Sequence, residues 1–352
     1  MLRTFILMQL IGFAVCQSPI RLEGRQIRNQ KPQGSVNNIF SIAGDLILFN
    51  ITIGNKIREV FVETVDLIMW LFASDRLIQK PLANFTDNEV LDNSAASGQF
   101  HVGKFEIGDL KFELYFGVTQ KLYNQLNFDG KLSLGWLNVA EGVNPLMPKN
   151  STVIRRLLQW FPEDQKLYTV WLDKFSMNAK AQLTFGGLDA DHCDSSIQFV
   201  PFPDVTSIFP SYKVFQLDSF SYSNFKLIVL YDSLIAVGYP ALQLPSEVYD
   251  LILRQLSPQF DWSSGFLTVD CNSDFADFRF EIGGRIFAVP QSEFVLDLQL
   301  ADNKCVLAIA KREIVHSADE PPTILGNPFL RSGHCVVFDV SNDRIGFTSP
   351  VQ

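Results

Sequence analysis

At 352 residues with 47% hydrophobic content, the chain is long enough to bury a large core and is expected to form two domains or lobes. Lys and Arg number 29 against 38 Asp and Glu, for a net charge of -9, and no basic cluster stands out, which excludes nucleic acid as a partner. An acidic excess suits an acidic lumen, where carboxylates protonate and self-repulsion falls, and is equally a plain solubility device.

In chain order, the first feature is an apolar run from Phe5 to Cys16 behind Arg3. It is too short to cross a bilayer, and with Ala14 and Cys16 as the small residues of a cleavage site it reads as a signal peptide over residues 1–16. No membrane span is expected. Export places the chain in an oxidising compartment, where the remaining Cys193, Cys271, Cys305 and Cys335 predict two disulfides. Sequons at Asn50, Asn84 and Asn150 would carry glycans where exposed. Residues 17–45 are polar, with Arg21, Arg25, Arg28 and Lys31 against Glu23, and suit a mobile N-terminus.

From Leu46 onward, short β-branched and aromatic runs are punctuated by Gly, Pro, Asn and Asp, the pattern of a strand-rich chain. Val60 to Trp70 (VFVETVDLIMW) runs apolar, acidic, apolar. Ser151 to Trp160 predicts a helix with Ser151 as N-cap, and Ser246 to Leu256 a second with Glu247 in its first turn. Between them, Lys226 to Pro240 (KLIVLYDSLIAVGYP) reads as two buried strands, Leu227–Leu230 and Leu234–Gly238, reversing through a polar tip at Tyr231, Asp232 and Ser233. Many strands and one clear helix per half make a mostly-β, two-lobed plan. His192-Cys193 and His334-Cys335 offer a rival four-ligand zinc site, but adjacent residues rarely converge on one ion and exported thiols oxidise, so neither metal nor cofactor is expected. His101 and His316 read as surface residues.

Several motifs then fall in one order: Phe128-Asp129-Gly130, TFGGLD over Thr184–Asp189, FRFEIGGRIFAVP over Phe278–Pro290, TILGNPFL over Thr323–Leu330, Val337-Phe338-Asp339 and Arg344-Ile345-Gly346-Phe347. Together they resemble the pepsin-like aspartic peptidases of the eukaryotic pepsin and cathepsin D type. The resemblance implies two β-barrel-like lobes, 46–200 and 201–352, joined by a central sheet around a cleft. It implies that Ile324-Leu325 crosses an active-site hairpin and that Gly326 lets two backbones meet. It pairs Cys271 with Cys305 and Cys193 with Cys335, and makes residues 17–45 a possible shortened prosegment. It also implies a monomer, secreted or in a lysosome-like compartment, that takes a peptide or protein in its cleft.

The family's chemistry uses two Asp carboxylates sharing a proton across a water, each in an Asp-Thr-Gly tip. Here both places depart. The first Asp lies seven residues before a Trp, which puts Glu63 there, followed by Thr64 and Val65; Val at the Gly site costs roughly 1–3 kcal/mol in strain or repacking. Asp66 is an alternative if the hairpin is re-registered. An ungapped alignment on Val229 and Gly238 puts Leu230 at the second Asp and Asp232 two residues on, a fallback carboxylate. Leu91 takes the place of the flap Tyr, the tip Asp92 to Ala96 has lost its glycines, and Lys131-Leu132-Ser133 replaces Ile-Leu-Gly. The expectation is a secreted family member that binds peptide or protein without cleaving it. The alternatives are an acid endopeptidase with a rebuilt Glu63/Asp232 dyad and a purely structural product.

Overall fold

The computed structural model describes residues 18–27, 46–73, 83–87, 96–119, 128–135, 151–174, 176, 179–203, 213–312 and 323–349, with the side chains of 83–87, 96, 97, 229 and 230 excepted. The signal-peptide segment, Leu91 and the tip residues 92–95, Asn150 and His316 lie outside the described residues.

The first half runs β1 (Ile20–Ile27), β2 (Leu46–Ile53), β3 (Lys56–Glu63), β4 (Trp70–Phe72), β5 (Ala83–Asp87), β6 (Ala96–Ile107), β7 (Leu110–Thr119), β8 (Gly130–Ser133), α1 (Val153–Leu158), β9 (Leu167–Leu172) and β10 (Lys180–Phe185). The second begins with β11 (Gln198–Pro201), β12 (Phe215–Tyr222), β13 (Phe225–Ile235), β14 (Leu242–Pro245), α2 (Ser246–Leu256), β15 (Gln259–Asp261), β16 (Phe266–Asp270), β17 (Phe278–Ile282) and β18 (Arg285–Val289). It closes with α3 (Gln291–Phe294), β19 (Val295–Leu296), β20 (Lys304–Leu307), β21 (Ile309–Arg312), β22 (Thr323–Leu325), α4 (Asn327–Arg331), β23 (Cys335–Asp339) and β24 (Arg344–Thr348). The chain is mostly β, and none of the described helices is long and apolar enough to cross a membrane.

Period-2 patterning builds the sheets. In β7, Leu110, Phe112, Leu114 and Phe116 point inward while Lys111 and Glu113 face water. In α2 the buried positions Val248, Ile252 and Leu256 fall four apart on one face. The cap of α1 is Thr152 rather than the expected Ser151: the Thr152 hydroxyl accepts from the Arg155 amide at 3.4 Å. Pro245 opens α2, so Ser246 sits inside the helix, and its hydroxyl donates to the Arg312 carbonyl instead.

One strand arrangement occurs twice. In the first half β3 runs parallel to β8, β8 antiparallel to β4, and β4 parallel to β7. In the second half β13, β22, β14 and β21 repeat those relations in the same order. At the crossing of β22, a Cβ on Gly326 would lie 2.4 Å from the Tyr239 carbonyl and 2.5 Å from that of Ala241, the close backbone approach expected there. The halves are joined through a 13-stranded sheet in which β11, β24 and β23 continue onto β9, β10, β1 and β2. The expected division after residue 200 therefore falls inside β11.

Three further sequence expectations are corrected. Tyr231, Asp232 and Ser233 do not reverse the chain; they lie within the continuous strand β13, and the turn follows Ile235. Residues 20–27 are not a free N-terminus but an interior strand. His101 is buried in β6 against Phe116 rather than exposed, because its position alternates inward beside a neighbouring aromatic.

Both disulfides, Cys193–Cys335 and Cys271–Cys305, are formed as expected. This removes the zinc reading: His192 instead pairs with Asp189 at 2.7 Å, and His334 Nε2 lies 2.9 Å from the Ala288 carbonyl. Burial between Phe287 and Phe329 pushes the His334 pKa down to about 4. The unfolded chain takes up that proton near pH 6.5, so between the two values it binds more protons than the folded one and stability falls on acidification. His334 alone is expected to remove roughly 3 kcal/mol between neutral pH and pH 4, and His334→Phe to flatten that limb of the stability–pH curve in urea titrations.

Candidate active site

The twofold arrangement fixes which residues face each other at the centre. On the first side Phe61 pairs with Lys131, which also pairs with Trp70. On the second, Leu234 pairs with Ile324, which also pairs with Gln243. The intervals agree, nine residues from Phe61 to Trp70 and nine from Leu234 to Gln243. Glu63 therefore corresponds to Ala236, Thr64 to Val237, and Val65 to Gly238.

A hydrogen bond between the lobes states the same register. The Thr64 hydroxyl donates to the Ile235 carbonyl at 3.2 Å and accepts from the Val237 amide at 3.1 Å. It thus clasps the backbone on either side of Ala236. Gly238 has φ +89 in the following turn, and a Cβ there would meet the Val62 carbonyl at 2.7 Å and the Glu63 Cβ at 3.5 Å. Its amide donates to Asn327 Oδ1 at 2.9 Å. The place expected for Leu230 is thus occupied by Ala236, six residues further on. With Ala236 and Val237 at the positions related to Glu63 and Thr64, this turn holds no polar marker, and the Tyr-Asp-Ser triplet upstream mimics one.

Glu63 is where the spacing to Trp70 puts it, at the end of β3 and 5% exposed. Its carboxylate turns back on its own loop. Oε2 accepts from the Val65 amide at 3.0 Å, and both oxygens accept from the Asp66 amide at 3.0 Å. Next to it, Tyr168 is held neutral far above the usual range by burial and by the negative charge of Glu63, and its hydroxyl donates to the Leu134 carbonyl at 3.1 Å. Asp66 is committed to an ion pair with Lys131, whose side chain is 1% exposed. Ser133 adds a hydrogen bond to the Ile68 carbonyl at 2.8 Å.

Opposite this polar side, Ala236 packs with Val65, Leu234 and Ile324. Val65 at the expected Gly site is accommodated because it fills this apolar group. Asp232 lies four residues before Ala236, roughly 13 Å back along the strand at about 3.3 Å per residue. It is half-buried, and desolvation raises its pKa. The structure thus brings Glu63 to the centre and leaves Asp232 away from it. One carboxylate, with its oxygens accepting backbone amides, is suited to holding a loop; a shared proton needs a second acid at the Ala236 position.

Among the other expected sites, Asn50 is exposed on β2, and Asn84 falls in β5. Sequence reasoning missed the Lys131–Asp66 pair; the signal available was a Lys inside an otherwise apolar crossing strand, which burial obliges to find a carboxylate.

A model of the eukaryotic aspartyl protease family matches residues 86–350. Aspartic protease 1 of Caenorhabditis elegans is 32% identical over 67% of this chain and 59% of its own length. Pepsin A of Gallus gallus is 26% identical over 66% of this chain and 60% of its own. The chain thus spans about three fifths of the length of these curated relatives. The crystal structure of an aspartic proteinase from Irpex lacteus has the same fold, with a TM-score of 0.74 over 95% of this chain and 98% of that one at 17% identity.

The clasp on either side of Ala236 gives a direct test. Thr64→Val strips a donor and an acceptor from a buried site and is expected to cost about 2–3 kcal/mol in urea unfolding, whereas Thr64→Ser, which keeps both bonds, is expected to recover most of it.

Proposed function

The chain belongs to the eukaryotic aspartyl protease family, and we propose that this member binds a peptide or protein in its interlobe cleft without hydrolysing it. The observation that carries the reading is Ala236 at the register position of the second acid. The family's water-activating chemistry requires two carboxylates sharing one proton. Glu63 supplies one carboxylate, already accepting the amides of Val65 and Asp66, and Ala236 supplies no second acid to share its proton. Asp232 does not substitute, since the strand geometry holds it away from Glu63.

We further propose that residues 1–16 direct export, that the protein acts as a monomer outside the cell, and that Asn50 carries a glycan. Pepsin-like aspartic proteases are typically secreted or lysosomal.

The decisive assay is hydrolysis of a denatured protein at acidic pH by purified full chain. No cleavage above background is expected, with no change on Glu63→Gln; acid-dependent cleavage that a pepstatin-like inhibitor blocks and Glu63→Gln abolishes would overturn the reading in favour of a rebuilt dyad. Ala236→Asp alone is expected to remain inactive, because Glu63 turns back on the amides of Val65 and Asp66 and Val237 gives no second clasp to hold the new carboxyl in place. Selection from a random-peptide display library on the folded chain is expected to enrich a shared motif, and failure to enrich any sequence counts against a binding role. Removal of N-linked glycans from material secreted by eukaryotic cells is expected to lower its mass, with one step lost in Asn50→Gln.

A further inference from the structure

Among the described residues with exposed large apolar side chains, Ile286 alone lies on a strand at the end of a sheet. It is 59% exposed on β18, which pairs with β17 on one side and ends the seven-stranded order on the other. Natural sheets blunt such an edge with a charge, a proline or a covering segment, because a row of unpaired backbone groups takes up an extended chain that reaches it. The Ala288 carbonyl accepts from His334 Nε2 at 2.9 Å, so residue 288 turns its backbone away from β17, and the period of two turns Ile286 the same way. Arg285, Phe287 and Val289 then supply the ladder to β17, opposite Ile282, Phe280 and Phe278. The Ile286 amide, the Ile286 carbonyl and the Ala288 amide are left along the outer edge with no partner among the described residues. Pro290, which has no amide hydrogen, ends this window on one side, and on the other Arg285 reaches the Ser196 carbonyl at 3.0 Å and Ser349 Oγ at 2.8 Å.

The solvent face beside this edge is cationic in a chain of net charge -9. Across the sheet Ile286 stands opposite Glu281, Glu281 opposite Ser219, and Ser219 opposite Ile228, which is 81% exposed. The Glu281 carboxylate is neutralised by Lys226 at 2.6 Å and accepts from the Ser219 hydroxyl at 2.6 Å. Two residues along β18, Ala288 stands opposite Arg279, which is exposed and makes no ion pair among the described residues. Arg285 is bound by neutral oxygens, and Asp218 accepts from the Gly284 amide at 2.8 Å at the hairpin tip. Because Ala288 is short, the Arg279 guanidinium can extend over it toward a strand laid against β18, one spacing of about 4.8 Å further out.

We propose that the outer edge of β18 takes up an extended acidic segment of another protein as an added antiparallel strand. The residue opposite Ile286 exchanges both backbone hydrogen bonds with it, and the residue opposite Ala288 accepts from the Ala288 amide. On the solvent face the segment carries an apolar side chain opposite Ile286 and, two residues away, an Asp or Glu opposite Ala288, where Arg279 meets it. Ile228 offers the body of the partner a second apolar contact on the same face, three strand spacings or roughly 14 Å from Ile286. None of the residues of the two central loops takes part, so the proposal is independent of whether the cleft hydrolyses or binds.

Fluorescence anisotropy tests this with the folded full chain and a labelled peptide of about ten residues, valine and glutamate alternating on one face and threonine on the other. Saturable binding is expected, weakened roughly tenfold by Arg279→Glu or by lysine in place of the peptide glutamates, and regained when the two changes are combined. Ile286→Pro removes an outward amide that the ladder to β17 does not use, so this variant is expected to keep its melting temperature and lose the peptide. N-methylation of the peptide's valine and glutamate amides is expected to abolish binding with the protein itself unchanged. Absence of saturable binding, or binding indifferent to N-methylation and to charge reversal, would overturn the proposal. In the protein without peptide, the Ile286 and Ala288 amides are expected to exchange with solvent fast and those of Phe287 and Val289 slowly; slow exchange at Ile286 would mean that the edge is already covered and would also overturn it.

Discussion

The hydroxyl of Thr64 ties the two central loops together, accepting from one backbone amide and donating to one carbonyl across the lobe boundary. A site with twofold symmetry would have a second such clasp running the other way. The corresponding residue is Val237, which has no hydroxyl, so the clasp is one-sided. Everything else at the centre fits that asymmetry. The first loop keeps its polar framework, and the second has become apolar.

The two sides meet their electrostatic demands differently. A carboxylate at the Ala236 position would need a partner or a shared proton, because an isolated buried charge costs several kcal/mol. With alanine there, that demand vanishes, and Val65 and Ile324 close the space. On the first side a carboxylate persists at Glu63 and is balanced by amide dipoles from its own loop. Lys131 and Asp66 then add a buried charge pair. Such pairs are close to neutral in net stability but strict in geometry, since removing one partner strands the other. The pair therefore acts to fix the position of the 64–69 loop rather than to deepen the fold's stability.

Much of this was legible in the sequence where residue identity carries geometry. The Ile324-Leu325-Gly326 crossing, the Phe278–Pro290 hairpin and both disulfides depend on glycines, cysteines and aromatic spacing that few other arrangements accept. Glu63 was found because Trp70 gives a fixed ruler on the same hairpin. Ala236 was not, because an apolar residue in an apolar run gives no ruler, and Tyr231, Asp232 and Ser233 offered a polar decoy that lies mid-strand. β1 was overlooked for the opposite reason. Its arginines and glutamate suggested a solvated tail, although Ile20, Leu22 and Gly24 alternate with them at strand period. A strand whose outward positions are ion-paired reads as polar until its neighbours are known.

Why the fold survives such changes at its centre follows from where the core lies. The main apolar cluster draws on both halves, from Ile47, Phe49 and Val60 through Tyr168 and Phe185 to Phe329, Phe338 and Phe347, and it passes through the shared sheet. The group around Ala236 is a separate cluster of four buried residues. At roughly 25 cal/mol per Å² of apolar surface, the large shared core dominates the driving force for folding, and the small central one adds little. Substitutions confined to the small cluster change the chemistry while leaving the scaffold's energetics nearly intact, provided the Thr64 clasp and the close contacts at Gly238 and Gly326 are kept. These are the backbone features that this chain retains at its centre, where Ala236 carries no carboxyl and Val237 no hydroxyl.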